Sequence, residues 1–119
     1  MSTNFPLREL MAAIDAKNTE RFVAFLTEDA VFRYGSQPTV QGRTAIGEYV
    51  AGFFSTIASL EHRILDTWER EGSLVCQGEV TYTRHDRRMV TVPFINVFRL
   101  RERRVREYLI YLDPTPLAG

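Results

Sequence analysis

The sequence predicts an α+β fold, in which a curved antiparallel sheet packs on three N-terminal helices. Apolar residues recur at helical spacing in the first half of the chain, and from Leu60 onward they alternate with period two. Short polar turns separate the extended runs of the second half. Helices followed by consecutive long strands are typical of α+β proteins.

Three helices are predicted before the long strands. Pro6 suits the first turn of helix one, and Lys17-Asn18 supplies its end. Thr19 is a candidate cap for a short second helix over TERFVAFL, which ends before Glu28-Asp29. A short strand AVFRYG and a turn from Gly35 to Pro38 lead to the third helix, TAIGEYVAGFFSTI. The supporting apolar stripes are Leu7, Leu10, Met11 and Ile14; Phe22, Phe25 and Leu26; and Ile46, Tyr49, Val50, Phe53 and Ile57.

Four long strands follow, near residues 60–70, 74–84, 88–100 and 103–112. The turns EREGS, RHDR and RER join them, so each strand should pair antiparallel with the next. A sheet of such long strands should curl, and three helices packed on it would form a cone that encloses one pocket. We expect residues 1–119 to form a single domain, because this length suits one core.

Composition excludes several classes of partner. Fifteen basic and fifteen acidic residues leave no net field that would attract nucleic acid or a membrane surface. The arginine-rich segment RLRERRVRE contains glutamates and is interpreted as a solvated hairpin tip. No apolar run approaches a membrane span, the start MSTNFPLREL does not resemble a signal peptide, and Cys76 is the single cysteine. We therefore expect a cytoplasmic protein with Cys76 as a core thiol.

Two segments carry a family resemblance: TEDAVFRYGSQPTVQGRTAI near the front and RVREYLIYLDPTPL at the end. Together with the order of elements, they resemble the SnoaL-like branch of the nuclear transport factor 2-like superfamily. That superfamily includes ketosteroid isomerases, limonene epoxide hydrolases, polyketide cyclases, dehydratases and non-catalytic association modules. The resemblance therefore implies a fold without selecting an activity.

The resemblance to the ketosteroid isomerases implies only part of their catalytic set. Tyr34 stands at the position of the aspartate base, and Ala13 stands at the position of a tyrosine donor on the first helix. Asn96 stands where a protonated aspartate donates to the enolate oxygen, and an amide can still donate.

The resemblance to the epoxide hydrolases implies the register of the strands. Glu79 stands at the position of the arginine, and Thr81 and Ile110 stand at the positions of the two aspartates that hold the reacting water. Phe32 and Tyr34 stand at the positions of the supporting tyrosine and asparagine, so none of these residues is kept.

This register predicts an aromatic cavity whose polar groups include Glu79, Asn96 and Tyr34, the three candidate catalytic residues. Glu79 is the single carboxylate expected inside, where burial would favour acid-base chemistry. Alternation also places Thr83 and Leu112 inward. The expected ligand contacts are Phe32, Thr81, Phe94, Phe98, Tyr108 and Ile110.

The two histidines, His62 and His85, lack the spacing of metal ligands, so neither a metal nor another cofactor is implied. His62 shares strand parity with Asp66. The two would form a proton relay if that face points inward, and otherwise His62 is a surface or sheet-packing residue.

Two functions remain open from the sequence. One is binding of an apolar small molecule, with acid-base catalysis of the isomerase, cyclase or dehydratase kind. The other is a non-catalytic ligand-binding or association module. Ile95 and Val97 on one strand, and Leu109 and Tyr111 on the next, make the outer sheet face apolar as well. Because the helices cover only one face, we expect a homodimer through the outer face.

Overall fold

The computed structural model of the chain describes residues 4–118. The helices and strands are α1 (Leu7–Asp15), α2 (Thr19–Val23), β1 (Leu26–Tyr34), β2 (Val40–Gln41), α3 (Arg43–Ser55), β3 (Ser59–Arg70), β4 (Ser73–Thr83), β5 (Met89–Arg101), β6 (Arg104–Tyr111) and α4 (Thr115–Ala118). The predicted α+β fold, a curved sheet packed on helices, is confirmed. Between residues 4 and 118, no helix has the length and apolar character to cross a membrane.

The six strands form one sheet in the order β2-β1-β6-β5-β4-β3. The four long strands pair antiparallel in sequence, as predicted. Strand β1 pairs parallel with β6. The short strand β2 and the short helix α4 were not predicted. Two or four residues are too few for the periodicity of a sequence to mark such elements.

The boundary between α2 and β1 differs from the prediction. The helix ends at Val23, earlier than predicted. Strand β1 also begins earlier than predicted, so Leu26, Glu28 and Asp29 lie within it. Asn18 caps α2, since its side chain accepts a hydrogen bond of 3.0 Å from the backbone N–H of Arg21. The predicted cap, Thr19, is the first helical residue.

The core lies between the helices and the concave face of the sheet. Helix α1 buries Leu10 and Ile14 against it, and α3 buries Ile46 and Val50. On β4 and β5, buried and more exposed residues alternate along nearly the whole length. Inner and outer faces are therefore clearly separated on these two strands.

A bulge in β3 bends this strand over β4. The register shifts between Ile64 and Asp66, opposite Gly78. The backbone oxygen of Arg63 occupies the space that a side chain at position 78 would need. The extra residue also reverses the alternation, so His62 faces inward before the bulge and Trp68 lies on the outer face after it.

A Gly78→Ala substitution should therefore destabilise the protein by about 3 kcal/mol, since its methyl group would meet backbone that cannot move without unpairing the strands. Urea unfolding followed by circular dichroism measures the change. Gly52→Ala is the control, because nothing lies within 4 Å of a Cβ at that helical position and alanine should stabilise it by about 0.5–1 kcal/mol. Equal stabilities of the two variants would contradict the close approach at Gly78.

Candidate functional site

A cavity of about 50 Å³ lies between the concave face of the sheet and the helices. Its wall is mainly aromatic and aliphatic, with side chains from α1, α2, α3 and five strands. The polar groups in the wall are His62, Asn96 and four tyrosine hydroxyls. No carboxylate lines it among residues 4–118.

Six of the nine predicted site residues lie in the cavity wall. Leu112, expected to face inward, lies there too. Phe98 is fully buried but stands behind the wall, where its ring centroid is 4.5 Å from that of Tyr108. The roles of these six residues and of Phe98 in binding or catalysis stay predictions. The six are Phe32, Tyr34, Phe94, Asn96, Tyr108 and Ile110.

The predicted inward placement of Glu79, Thr81 and Thr83 is wrong. Glu79 lies on the outer face, with a side chain 43% exposed and 3.7 Å from Arg63. Thr81 shares a hydrogen bond of 2.8 Å with the exposed Thr91 hydroxyl on the neighbouring strand. A register error of one residue moves every side chain of a strand to the opposite face, so no acid-base role remains for Glu79.

The inward residue next to these positions is Tyr82, which the sequence analysis missed. Its hydroxyl lies 2.9 Å from that of Tyr34, and the ring of Phe53 packs against both tyrosines at centroid distances of 5.1 and 5.9 Å. Burial raises the pKa of both phenols, so both hydroxyls are protonated at neutral pH. The apolar alternation of Cys76, Val80 and Tyr82 was the sequence signal for this face.

Tyr34 and Phe53 separate the cavity from an open cleft of about 840 Å³. The turn at Arg84–Asp86 and helix α4 form other walls of this cleft. A cavity of about 150 Å³ is known to hold benzene, so this cavity of about 50 Å³ is too small for a ring without side-chain movement. Displacement of Phe53 and Tyr34 would join the cavity to the cleft.

His62 and Asp15 form a hydrogen-bonded pair at the cavity wall. The Nδ1 atom of His62 is 2.6 Å from Oδ1 of Asp15, and the backbone N–H of His62 donates to Oδ2 at 3.0 Å. The imidazole packs edge-on against the ring of Phe94, with centroids 5.4 Å apart. Two hydrogen bonds and one ring contact therefore fix the imidazole.

The partner of His62 is thus Asp15 and not Asp66, so the His62-Asp66 relay is wrong. The bulge in β3 places Asp66 opposite Gln77 on the outer face, where it accepts from the backbone N–H of Thr67. Asp15 lies at the end of α1, where a negative charge opposes the helix dipole. That unfavourable position was the sequence signal that could have found it.

The pairing selects one tautomer of His62. An ionised carboxylate only accepts hydrogen bonds, so Nδ1 carries the proton and Nε2 has a free lone pair in the neutral ring. Asp15 lines a groove outside the cavity, and the ring of His62 lies between that groove and the cavity. Nε2 has no hydrogen-bond partner within residues 4–118, so it is available to a ligand.

Asn96 is the other polar group of the inner wall, and it is 1% exposed. Its Nδ2 donates a long hydrogen bond of 3.5 Å to the hydroxyl of Tyr108. Cys76 faces it from β4, and burial raises the pKa of this thiol to about 11. The thiol is therefore protonated and buried, as a core residue.

No group of three or more histidine, cysteine, aspartate or glutamate side chains is placed to hold a metal ion within the described part of the chain. The second histidine, His85, lies in the turn before β5, with Nε2 3.0 Å from the carbonyl oxygen of Ser55.

Comparisons with known proteins agree with this architecture. A family model described as a SnoaL-like domain matches residues 7–108, whereas no curated protein matches the sequence significantly. An NTF2-like protein of unknown function from Burkholderia pseudomallei superposes with a TM-score of 0.84 at 18% identity, over 93% of this chain and 90% of that one. TerC crystallised with polyporic acid superposes with a TM-score of 0.82 at 15% identity, over 94% of this chain and 92% of that one. An LEH-like epoxide hydrolase of M. tuberculosis superposes with a TM-score of 0.79 at 13% identity, over 92% of this chain and 80% of that one.

The paired hydroxyls of Tyr34 and Tyr82 can be tested by a double-mutant cycle. Tyr34→Phe should cost about 1–3 kcal/mol, because it leaves the hydroxyl of the buried Tyr82 without a partner. Tyr82→Phe should cost less, because Tyr34 borders the open cleft. The double variant should lose clearly less than the sum in urea unfolding, and strict additivity would contradict the pairing.

Proposed function

This chain belongs to the family of SnoaL-like domains, and we propose that it binds an apolar, ring-sized small molecule in the cavity and transfers a proton on it through His62. The observation that carries the proposal is His62 in the wall of a mainly apolar cavity, hydrogen-bonded to Asp15 outside that wall. Imidazole is the side chain most often used for proton transfer near neutral pH.

In the proposed reaction, Nε2 of the neutral His62 ring accepts a proton from the ligand. The ring then carries a positive charge, which the Asp15 carboxylate stabilises at 2.6 Å from Nδ1. The imidazolium returns the proton to another ligand atom in an isomerisation or cyclisation, or to a hydroxyl that leaves as water in a dehydration. Each alternative balances protons without a cofactor.

The rest of the cavity supports this chemistry. Its aromatic wall is mainly apolar, and an apolar surrounding strengthens electrostatic interactions with a bound molecule. The hydroxyls of Tyr34 and Tyr82 are protonated and can donate to oxygen on the ligand once the pair opens. TerC, which shares the fold, was crystallised with polyporic acid, and this supports binding of a small organic molecule here.

His62→Gln should lower turnover of a verified substrate by about 10²–10⁴-fold, because the variant lacks the base, and should change binding much less. Asp15→Asn should also lower turnover, because the amide can hold the wrong tautomer of the imidazole. Native mass spectrometry of the purified protein identifies a retained ligand, and steady-state kinetics then measures turnover.

Glu79→Gln is the matched control, because it removes a carboxylate on the outer face and should leave turnover unchanged. Wild-type turnover by the His62→Gln variant would contradict the proposed base.

A second candidate function, a non-catalytic ligand-binding or association module, is favoured by one observation. No carboxylate lines the cavity within residues 4–118, so Asp15 can act there only through His62. In that case the protein would bind its ligand without converting it, and the His62→Gln and Asp15→Asn variants would still bind that ligand.

We also propose that two copies of the chain pair through the outer face of the sheet. The helices cover the concave face, whereas an apolar patch on the outer face stays partly exposed, with Arg33 of this chain lying over the ring of Tyr111 at 5.1 Å from its centroid. Trp68, Ile95 and Tyr111 within the patch are 52%, 41% and 48% exposed. The outer apolar patch consists of Trp68, Val75, Ile95, Val97, Leu109 and Tyr111, which lie in two neighbouring rows across β3 to β6.

Ion pairs border this patch at both ends. Arg99 is 3.0 Å from Glu107 at one end, and Arg63 is 3.7 Å from Glu79 at the other. Each border carries both signs of charge, so a two-fold axis can place opposite charges of two copies against each other. This arrangement supports a homodimer.

Light scattering at micromolar concentration should give twice the 13.8 kDa mass of the chain. Ile95→Asp should give a monomer, because it places a charge inside the outer apolar patch. Met89→Asp is the control, since Met89 is 67% exposed at the far end of the same strand, outside the patch. A monomeric wild-type chain would contradict the proposed dimer.

A further inference from the structure

The buried amide of Asn96 has one hydrogen-bonding atom that the protein does not use. Asn96 is 1% exposed, it lines the cavity, and its Oδ1 atom has no hydrogen-bond partner within residues 4–118. A buried carbonyl oxygen without a donor is costly, and nearly all such atoms in native proteins are paired. The cavity wall therefore contains an acceptor that a bound molecule can satisfy.

Tyr108 contacts the Nδ2 end of the amide. The hydroxyl of Tyr108 lies 3.5 Å from Nδ2 of Asn96. Its ring is held by Phe98 and Phe32, at centroid distances of 4.5 and 5.4 Å. Because Tyr108 is fully buried among these rings, its hydroxyl keeps this position beside Nδ2, and Oδ1 is the end of the amide that the described part of the chain leaves without a partner.

Most other polar atoms of the wall already have a partner. The hydroxyls of Tyr34 and Tyr82 pair with each other, and Nδ1 of His62 is bound to Asp15. Cys76 stands directly across from Asn96 on β4 but does not satisfy Oδ1. Nε2 of His62 also lacks a donor, but it is not fully buried, so Oδ1 of Asn96 is the fully buried acceptor without a donor among the residues that line the cavity in the described chain.

We propose that the ligand is an apolar ring that carries a hydroxyl group, and that this hydroxyl donates a hydrogen bond to Oδ1 of Asn96. This inference rests on the proposed function, since it requires that a ring enters the cavity. It reverses the expectation from the resemblance, in which Asn96 donates to a ligand oxygen. A ring that lacks the hydroxyl should bind less tightly, because it leaves Oδ1 without the donor that the hydroxyl supplies.

Phenol and toluene are the probes that test this inference, since they have nearly the same shape and differ by a hydroxyl and a methyl group. Titration of the labelled protein with each probe, followed by amide chemical shifts of Phe94, Asn96 and Tyr108, gives the two dissociation constants. The wild-type protein should bind phenol about ten-fold more tightly than toluene.

Asn96→Leu should reverse that order, because leucine has a similar shape and offers no acceptor. Ile110→Val is the matched control: position 110 faces Asn96 across β5 and β6, and this variant changes the cavity volume without changing a polar group. It should keep the preference for phenol.

The outcomes separate the two proposals. If neither probe shifts the cavity amides of the wild-type protein, ring binding in this cavity fails, and the inference about Asn96 fails with it. If both probes bind but toluene binds as tightly as phenol, or if Asn96→Leu keeps the preference, only the inference about Asn96 is overturned. Tighter binding of benzaldehyde than of phenol would also overturn it, because the amide would then be presenting its NH₂ group.

Discussion

The close approach of the Arg63 backbone to Gly78 is the constraint on which the site depends. It allows β3 to bulge and bend over β4, so one strand changes face along its length. Before the bulge, His62 faces the helices, where the last residue of α1, Asp15, meets its imidazole. After the bulge, Trp68 belongs to the outer apolar patch. One glycine therefore shapes both the inner site and the surface proposed for pairing.

The two faces of the sheet have different chemistry because the strands alternate so regularly. The inner face combines aromatic rings with a few polar groups that hold one another in place, such as Tyr34 with Tyr82 and Asn96 with Tyr108. This arrangement keeps the cavity small. A molecule the size of a ring enters only if Phe53 moves, so opening toward the cleft belongs to the binding reaction and adds to its free-energy cost.

The sequence predicted the sheet well and the site in part. Period-two patterns located the four long strands and placed Phe94 and Asn96 inward, since both faces of β5 are clearly distinguished by residue type. The error at Glu79 came from a register taken from the epoxide hydrolase resemblance, although the apolar residues of β4 indicated the opposite face. The pairing of His62 with Asp15 has only an indirect signal in the sequence, the unfavourable place of Asp15 at a helix end, because it joins residues 47 positions apart on a helix and a strand. No periodicity reports such a contact, and a bulge removes the parity on which His62-Asp66 depended.

The tautomers of the two histidines test the central claim most directly. Asp15 accepts from Nδ1 of His62, whereas the carbonyl oxygen of Ser55 can only accept from Nε2 of His85. Long-range proton-nitrogen correlation spectra of the native protein, recorded where both rings are neutral, distinguish the two forms. We predict the Nδ1-H form for His62 and the Nε2-H form for His85, with the free Nε2 signal of His62 shifting when a ligand binds. An Nε2-H form of His62, or an Nε2 signal that no cavity ligand changes, would contradict a base held by Asp15 at the cavity wall.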